Sequence, residues 1–313
     1  MTTMMEKPFA NTLVKIGEKN TNVVVVDADL SRVCETNIFA SRFPERYFNI
    51  GVAEANLIGI STGLALSGKT VFCGSFAGFL TQRAGDQISM GAAYMQSNVK
   101  ICGFEAALVS GSNGATHQCI LDLGIMRALP NMRVYDPVDA TDLVAIMEYE
   151  SEHEGPAYLR GLRKNAPVII DPQKYHFQPG KSYMVRDGKD ATIIASGMML
   201  ARAITAAEEL SQENLEVRIV SMSCWKPLDN DAILAAAIET GCIITAENHN
   251  ILGGLGGAVA EVVTSNSPIP VVRVGIKDKF GEVGKDDYLS QKFELDVPTI
   301  KKAVKQAMEL KKK

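Results

Sequence analysis

Short apolar runs rich in β-branched residues alternate along this chain with longer stretches of helical period, the pattern of a mostly parallel sheet covered by helices. Residues 23–26 read as a buried strand that runs into the polar turn Asp27-Ala28-Asp29. Glu54–Leu66 predicts a helix whose Ala and Gly suit close packing, so it is expected to be buried. Residues 70–73 and 99–102 predict strands, 121–129 a helix stopped by Pro130, Arg133–Tyr135 a strand, 140–150 a helix and Ala157–Arg160 a strand. From 171 to 189 the periodicity lapses, and Pro172, Pro179, Gly180 and Gly188 mark a linker or surface excursion. The alternation then restarts, with strands at 191–195, 216–220, 242–246 and 271–274 and helices at 201–210, 231–240 and 258–264. A Lys-rich amphipathic helix, Val297–Lys311, closes the chain with Pro298 in its first turn. The expected architecture is α/β, with two doubly wound units divided near 180–190, and 313 residues suffice for two cores.

Composition narrows the function classes. An apolar share of 46% and a charged share of 22% fit a soluble globular protein, and a net charge of −4 gives no support for binding nucleic acid or an anionic membrane. The cysteines (Cys34, Cys73, Cys102, Cys119, Cys224 and Cys242) are scattered, mostly in apolar runs, and read as reduced small hydrophobes of a cytoplasmic protein. The first eight residues show no signal-peptide stretch, and no apolar run reaches the ~18 residues of a membrane span.

In an open parallel sheet, ligands lie beyond the carboxyl ends of the strands, and four segments fall there. In Asn49-Ile50-Gly51-Val52-Ala53-Glu54 an acid opens an apolar helix. The helix dipole alone explains it, unless the carboxylate is buried and meets a specific polar partner. In the segment from Gly74 to Gln87, Phe76 and Phe79 suit a core. Gly and Ser directly after a strand suggest instead a loop offering an aromatic face to a flat ligand. In Gly111-Ser112-Asn113-Gly114-Ala115-Thr116-His117-Gln118 a turn carries His117 into the crevice, whereas His153 and His176 sit among polar neighbours and read as surface residues. No His/Cys/Asp spacing suggests a metal site. The fourth segment, from Glu247 to Gly257, sets glycines before a helix with Asp278 beyond. It lacks the third glycine of a dinucleotide fingerprint, and a tight turn packing a helix on its sheet is the better reading.

Taken in order, Asp27-Ala28-Asp29-Leu30, Phe43-Pro44-Glu45-Arg46-Tyr47-Phe48-Asn49-Ile50-Gly51-Val52-Ala53-Glu54, Gly114-Ala115-Thr116-His117-Gln118, and Arg127-Ala128-Leu129-Pro130-Asn131-Met132 with Asp136-Pro137 resemble the transketolase family. The resemblance covers nearly the whole chain. It implies a pyrimidine-binding domain with a mostly parallel sheet over residues 1–180 and a smaller transketolase C-terminal domain over 187–313. The activity it implies is thiamine diphosphate-dependent transfer of a two-carbon ketol unit from a ketose or ketose phosphate to an aldose. By the same resemblance Glu54 would bond the cofactor's aminopyrimidine nitrogen, and Phe76 and Phe79 would form the aromatic wall, Phe79 being the better placed to stack. Asp29 would be an acid near the cofactor, and His117 would touch the oxygens of the transferred unit. Arg163 would grip a phosphate with its guanidinium fork. Gln82 stands where transketolases often have tyrosine and inherits no role. Glu105 replaces a usual histidine and Asn113 an acid, both at sugar-recognition positions, so the usual phosphorylated sugars are expected to be poor substrates.

The family grips the diphosphate through Mg²⁺ with a Gly-Asp-Gly motif, and none occurs in this sequence. The resemblance therefore implies an N-terminal transketolase subunit that carries the diphosphate-binding domain and the main hold on the metal. It also implies self-association into a two-plus-two heterotetramer. Two relatives within the cofactor class stay open: a 2-oxoacid dehydrogenase beta subunit and an enzyme like deoxyxylulose phosphate synthase. Thr116-His117-Gln118 favours transketolase over the former. A dinucleotide-binding protein built on residues 253–257 and a non-catalytic assembly subunit are the readings of other classes.

Overall fold

The computed structural model describes residues 3–162 and 164–312. Among the described residues seven strands form the larger sheet, in the spatial order Cys224–Lys226, Arg133–Tyr135, Ala157–Arg160, Val99–Phe104, Thr70–Phe76, Val23–Asp27 and Tyr47–Asn49. All neighbours are parallel except the first pair. The interior strands Val23–Asp27, Thr70–Phe76 and Val99–Phe104 are buried at every position. Both faces are covered by helices, so these strands read as unbroken apolar runs instead of alternations. A second sheet runs Val271–Ile276, Ile243–Asn250, Ala191–Ala195, Val217–Ser221 and Tyr183–Arg186, parallel except at the last edge. Asp139, Asp229 and Asp296 cap the helices Ala140–Glu152, Asn230–Thr240 and Val297–Lys311, each accepting a backbone N–H. The α/β, mostly parallel architecture is the one the alternation predicts.

Four stretches depart from the sequence reading. Helix Glu54–Leu66 is buried on one side only: Leu57 and Ile58 are fully covered, while Asn56, Gly59, Gly63 and Leu66 face outward. The two covered side chains are worth about 1.5–3 kcal/mol each, and the outer face is too apolar for any period to distinguish it. Where Gly74 and Ser75 predict a loop, the strand continues to Phe76 because both residues pair with the neighbouring strand, and a π-helical turn, Phe79–Arg83, follows. The polar stretch 171–189 contains an edge strand, Tyr183–Arg186. Finally, Cys224–Lys226 crosses from the second half to the edge of the first sheet and buries Cys224 and Trp225. All six cysteines are buried and none forms a disulfide. Among the described residues no helix is long and apolar enough to cross a membrane.

Candidate active site

At the carboxyl edge of the larger sheet, Glu54 opens its helix with a carboxylate wholly out of solvent. A bare buried carboxylate would be prohibitive. Arg83 Nη1 donates to Oε2 at 2.8 Å, and the Ser75 hydroxyl donates to Oε1 at 3.3 Å. Arg83 is half exposed, and its guanidinium carbon lies 4.5 Å from the centre of the Phe79 ring. Three rings then meet edge to face, with Phe76 and Phe79 5.6 Å apart, Phe76 and His117 5.3 Å, and Phe79 and His117 5.2 Å. The Thr116 hydroxyl lies 2.9 Å from His117 Nδ1. Phe79, Gln82, Arg83, Thr116, His117 and Phe280 line a cleft of about 430 Å³. Carboxylate, aromatic face and histidine, read separately in the sequence, are thus brought together.

The contacts of Arg83 also test the fit of an aminopyrimidine. A planar group with N–H donors already bonds the Glu54 carboxylate while stacked on Phe79. An aminopyrimidine asks for the same two contacts, and the residues present fit it. Arg83 itself was legible only as the one cation in an aromatic run that follows a strand.

The remaining candidates fall elsewhere. Asp29 does not line the cleft. Its N–H donates to Asn49 Oδ1 at 3.1 Å and its Oδ1 accepts from Asn49 Nδ2 at 3.0 Å, which braces the turn entering the Glu54 helix. The buried acid of that motif is Asp27, which accepts the Leu30 N–H and the Thr36 hydroxyl, both at 2.6 Å; burial pushes its carboxyl up. Asn113 is exposed on the His117 loop and does not line the cleft. Glu105, 8% exposed, lines a different cleft of about 210 Å³ between the two halves, with Asp136, Arg160, Leu162 and Met198. The structure therefore brings neither Glu105 nor Asn113 to the His117 cleft. Arg163 lies outside the described residues.

A buried ionic network that sequence reasoning missed reaches the second cleft through Asp136 and Arg160. Arg160 donates through Nη2 and Nε to Asp122 at 2.6 and 2.8 Å, and through Nη1 to Asp136 at 3.3 Å and to the Asn248 carbonyl at 3.1 Å. Asp136 accepts the Ser196 hydroxyl at 2.8 Å, which ties in the second half of the chain. Burial acts to raise both carboxyls. At Asp122 the close guanidinium fork outweighs it and the group is held below the usual range, whereas Asp136, with one long contact to Arg160, stays raised. Asp122 opens the helix directly after the His117 loop, so the network fixes where that loop ends. The readable signal was an Arg closing an apolar strand and an Asp opening an apolar helix, since either is rarely buried unpaired. In the glycine-rich segment, Glu247 accepts the N–H groups of Leu255 and Gly256 at 2.5 and 2.9 Å, and burial pushes it up to about 8. A Cβ on Gly254 would meet its Oε2 at 2.0 Å, so the glycine serves this tight turn.

Residues 2–168 match the transketolase pyrimidine-binding domain, and residues 180–300 match the transketolase C-terminal domain. The chain belongs to the transketolase family, as a subunit of a thiamine diphosphate-dependent transferase. It is 41% identical over 303 residues to a 6-deoxy-6-sulfo-D-fructose transketolase subunit of a Clostridium species, covering 97% of this chain and 94% of that one. An apulose-4-phosphate transketolase subunit from Phocaeicola vulgatus is 35% identical over 307 residues, 98% of this chain and 97% of the other. Among solved structures, a split-gene transketolase described as an inactive beta4 tetramer matches with a TM-score of 0.88 and 42% identity, over 97% of both chains.

Proposed function

We propose that this chain supplies the pyrimidine side of a ketol-transferring site and that an N-terminal subunit supplies the diphosphate side with its Mg²⁺. The observation that carries the proposal is the buried Glu54 carboxylate bonded to Arg83, a planar cation that lines the aromatic cleft and lies over the Phe79 ring. Thiamine diphosphate, when bound, supplies the carbon nucleophile that cleaves the ketose. Glu54 holds and moves a proton at the pyrimidine ring nitrogen, in the place Arg83 takes here, and half-exposed Arg83 has room to swing aside. Phe76 and Phe79 set the plane of the ring and exclude water. With Nδ1 engaged by Thr116, His117 offers Nε2 to the oxygens of the transferred unit.

The outer face of helix Glu54–Leu66 supports pairing with a second copy, giving two of each chain. A Cβ on Gly59 or Gly63 would meet nothing within 4 Å, Leu66 at the helix end is 61% exposed, and Val52 just before the helix and Tyr94 at the end of the neighbouring Ile88–Tyr94 turn are 69% and 74% exposed. Apolar exposure of this kind marks an interface. The division into domains at 1–180 and 187–313, a cytoplasmic location, sugar substrates and the absence of nucleic-acid or membrane partners belong to the same proposal.

Glu105 places a carboxylate in the second cleft beside Leu162 and the Asn165–Pro167 segment, which disfavours a sugar phosphate there. A substrate panel on the complex with the N-terminal subunit tests the reading. The expected result is two-carbon transfer between a ketose and an aldose, with xylulose 5-phosphate and ribose 5-phosphate poorer than unphosphorylated or otherwise modified sugars. Decarboxylation of 2-oxoacids with transfer to a lipoyl domain would move the chain to the dehydrogenase class.

A further inference from the structure

We infer that the loop 277–284, contributed by the C-terminal half, forms one wall of the His117 cleft and that Phe280 determines which sugar the cleft accepts. The inference rests on the ketol-transfer reading. Two loops interlock here. Gly284 N–H donates to the Gly111 carbonyl at 2.9 Å, and Gln118 Nε2 donates to the Glu282 carbonyl at 3.0 Å. The backbones approach closely enough at Gly111 to require glycine there. A Cβ on Gly111 would meet the Gly284 carbonyl oxygen at 2.3 Å, and one on Gly281 would meet Gln118 Oε1 at 1.9 Å. Gly114, at φ +72°, leaves room for Val283.

The loop is also held on either side of Phe280. Asn250 Nδ2 donates to Asp278 at 3.2 Å, and the Glu282 carboxylate accepts from the Tyr288 hydroxyl and Lys292 Nζ, both at 2.6 Å. On this fixed loop the Phe280 ring is 82% exposed, yet it lines the cleft of Phe79, Gln82, Arg83, Thr116 and His117. A pinned loop that holds an aromatic ring in water favours whatever next covers that ring. Gln82, Arg83, Thr116 and His117 suit hydroxyls, while the Phe280 ring suits the C–H face of an acyclic sugar chain. The ligand class is therefore a polyhydroxy aldehyde or ketone long enough to reach from His117 to Phe280.

An aromatic wall remote from the reacting carbons contributes equally to ground and transition states, so it sets KM and leaves kcat alone. The test uses the complex with the N-terminal subunit, thiamine diphosphate and Mg²⁺, with unphosphorylated ribose and glyceraldehyde as long and short acceptors. Phe280→Ala is expected to raise KM for the long acceptor about tenfold, the equivalent of about 1.4 kcal/mol. KM for the short acceptor should change little, kcat and cofactor affinity should stay within about twofold on the same scale, and Phe280→Tyr should restore the long-acceptor KM. Unchanged KM for both acceptors would overturn the inference. So would loss of assembly in the variant, which would place Phe280 in a subunit interface. Absence of transfer by the unmodified complex would instead overturn the ketol-transfer reading, and this inference with it.

Discussion

Glu54→Gln is expected to lower ketol transfer about 10²–10⁴-fold in kcat, the usual worth of a positioned proton relay, while the chain folds and assembles normally. The amide has the shape of the carboxylate and can still present its oxygen to Arg83 and its other face to Ser75. Arg83 is half in water, so losing its counter-charge leaves it solvated and not stranded. What the amide cannot do is take and return a proton at neutral pH. Circular dichroism and light scattering should match the unmodified protein, and single-turnover kinetics should locate the loss in the chemical step. A decrease smaller than about tenfold on that scale would remove Glu54 from the relay role.

Much of this site could be read from one sequence because its parts are local. Glu54 opens a helix, Phe76 and Phe79 follow a strand, and His117 rides a glycine turn. What stayed hidden depends on residues far apart in the chain. Arg160 and Asp122 are 38 positions apart, and Gln118 and Glu282 are 164 apart; no period or spacing links them. The strand Cys224–Lys226 pairs with Arg133–Tyr135, Cys224 lying opposite Tyr135 about ninety positions earlier, again without a local mark. Helix Glu54–Leu66 misled for the opposite reason. Its exposed face and its covered face are both apolar, and composition cannot separate them in a lone chain.

The second large effect is on stability. Arg160→Met should destabilise the fold by about 3–5 kcal/mol, because it leaves the buried carboxylates of Asp122 and Asp136 without their shared cation. For a chain of this size that corresponds to a melting midpoint lower by roughly 6 °C or more. Arg160→Lys should recover part of the loss, since one ammonium supplies the charge but not the fork that meets both Asp122 oxygens. Because Asp122 carries the end of the His117 loop, variants that remain folded at low temperature should also show weakened transfer. A midpoint within about 1 °C of the unmodified protein would mean that water or a neighbouring group replaces the guanidinium.

The claim that organises these expectations is that the chain holds half of a catalytic site. Ketol transfer by this chain alone, by its N-terminal partner alone and by their mixture, each with thiamine diphosphate and Mg²⁺, tests it most directly. The expected result is transfer by the mixture only, saturating as the partner is titrated in. Transfer by the isolated chain at the rate of the mixture would contradict it, because Glu54, Phe79 and His117 would then need no second chain to complete the site.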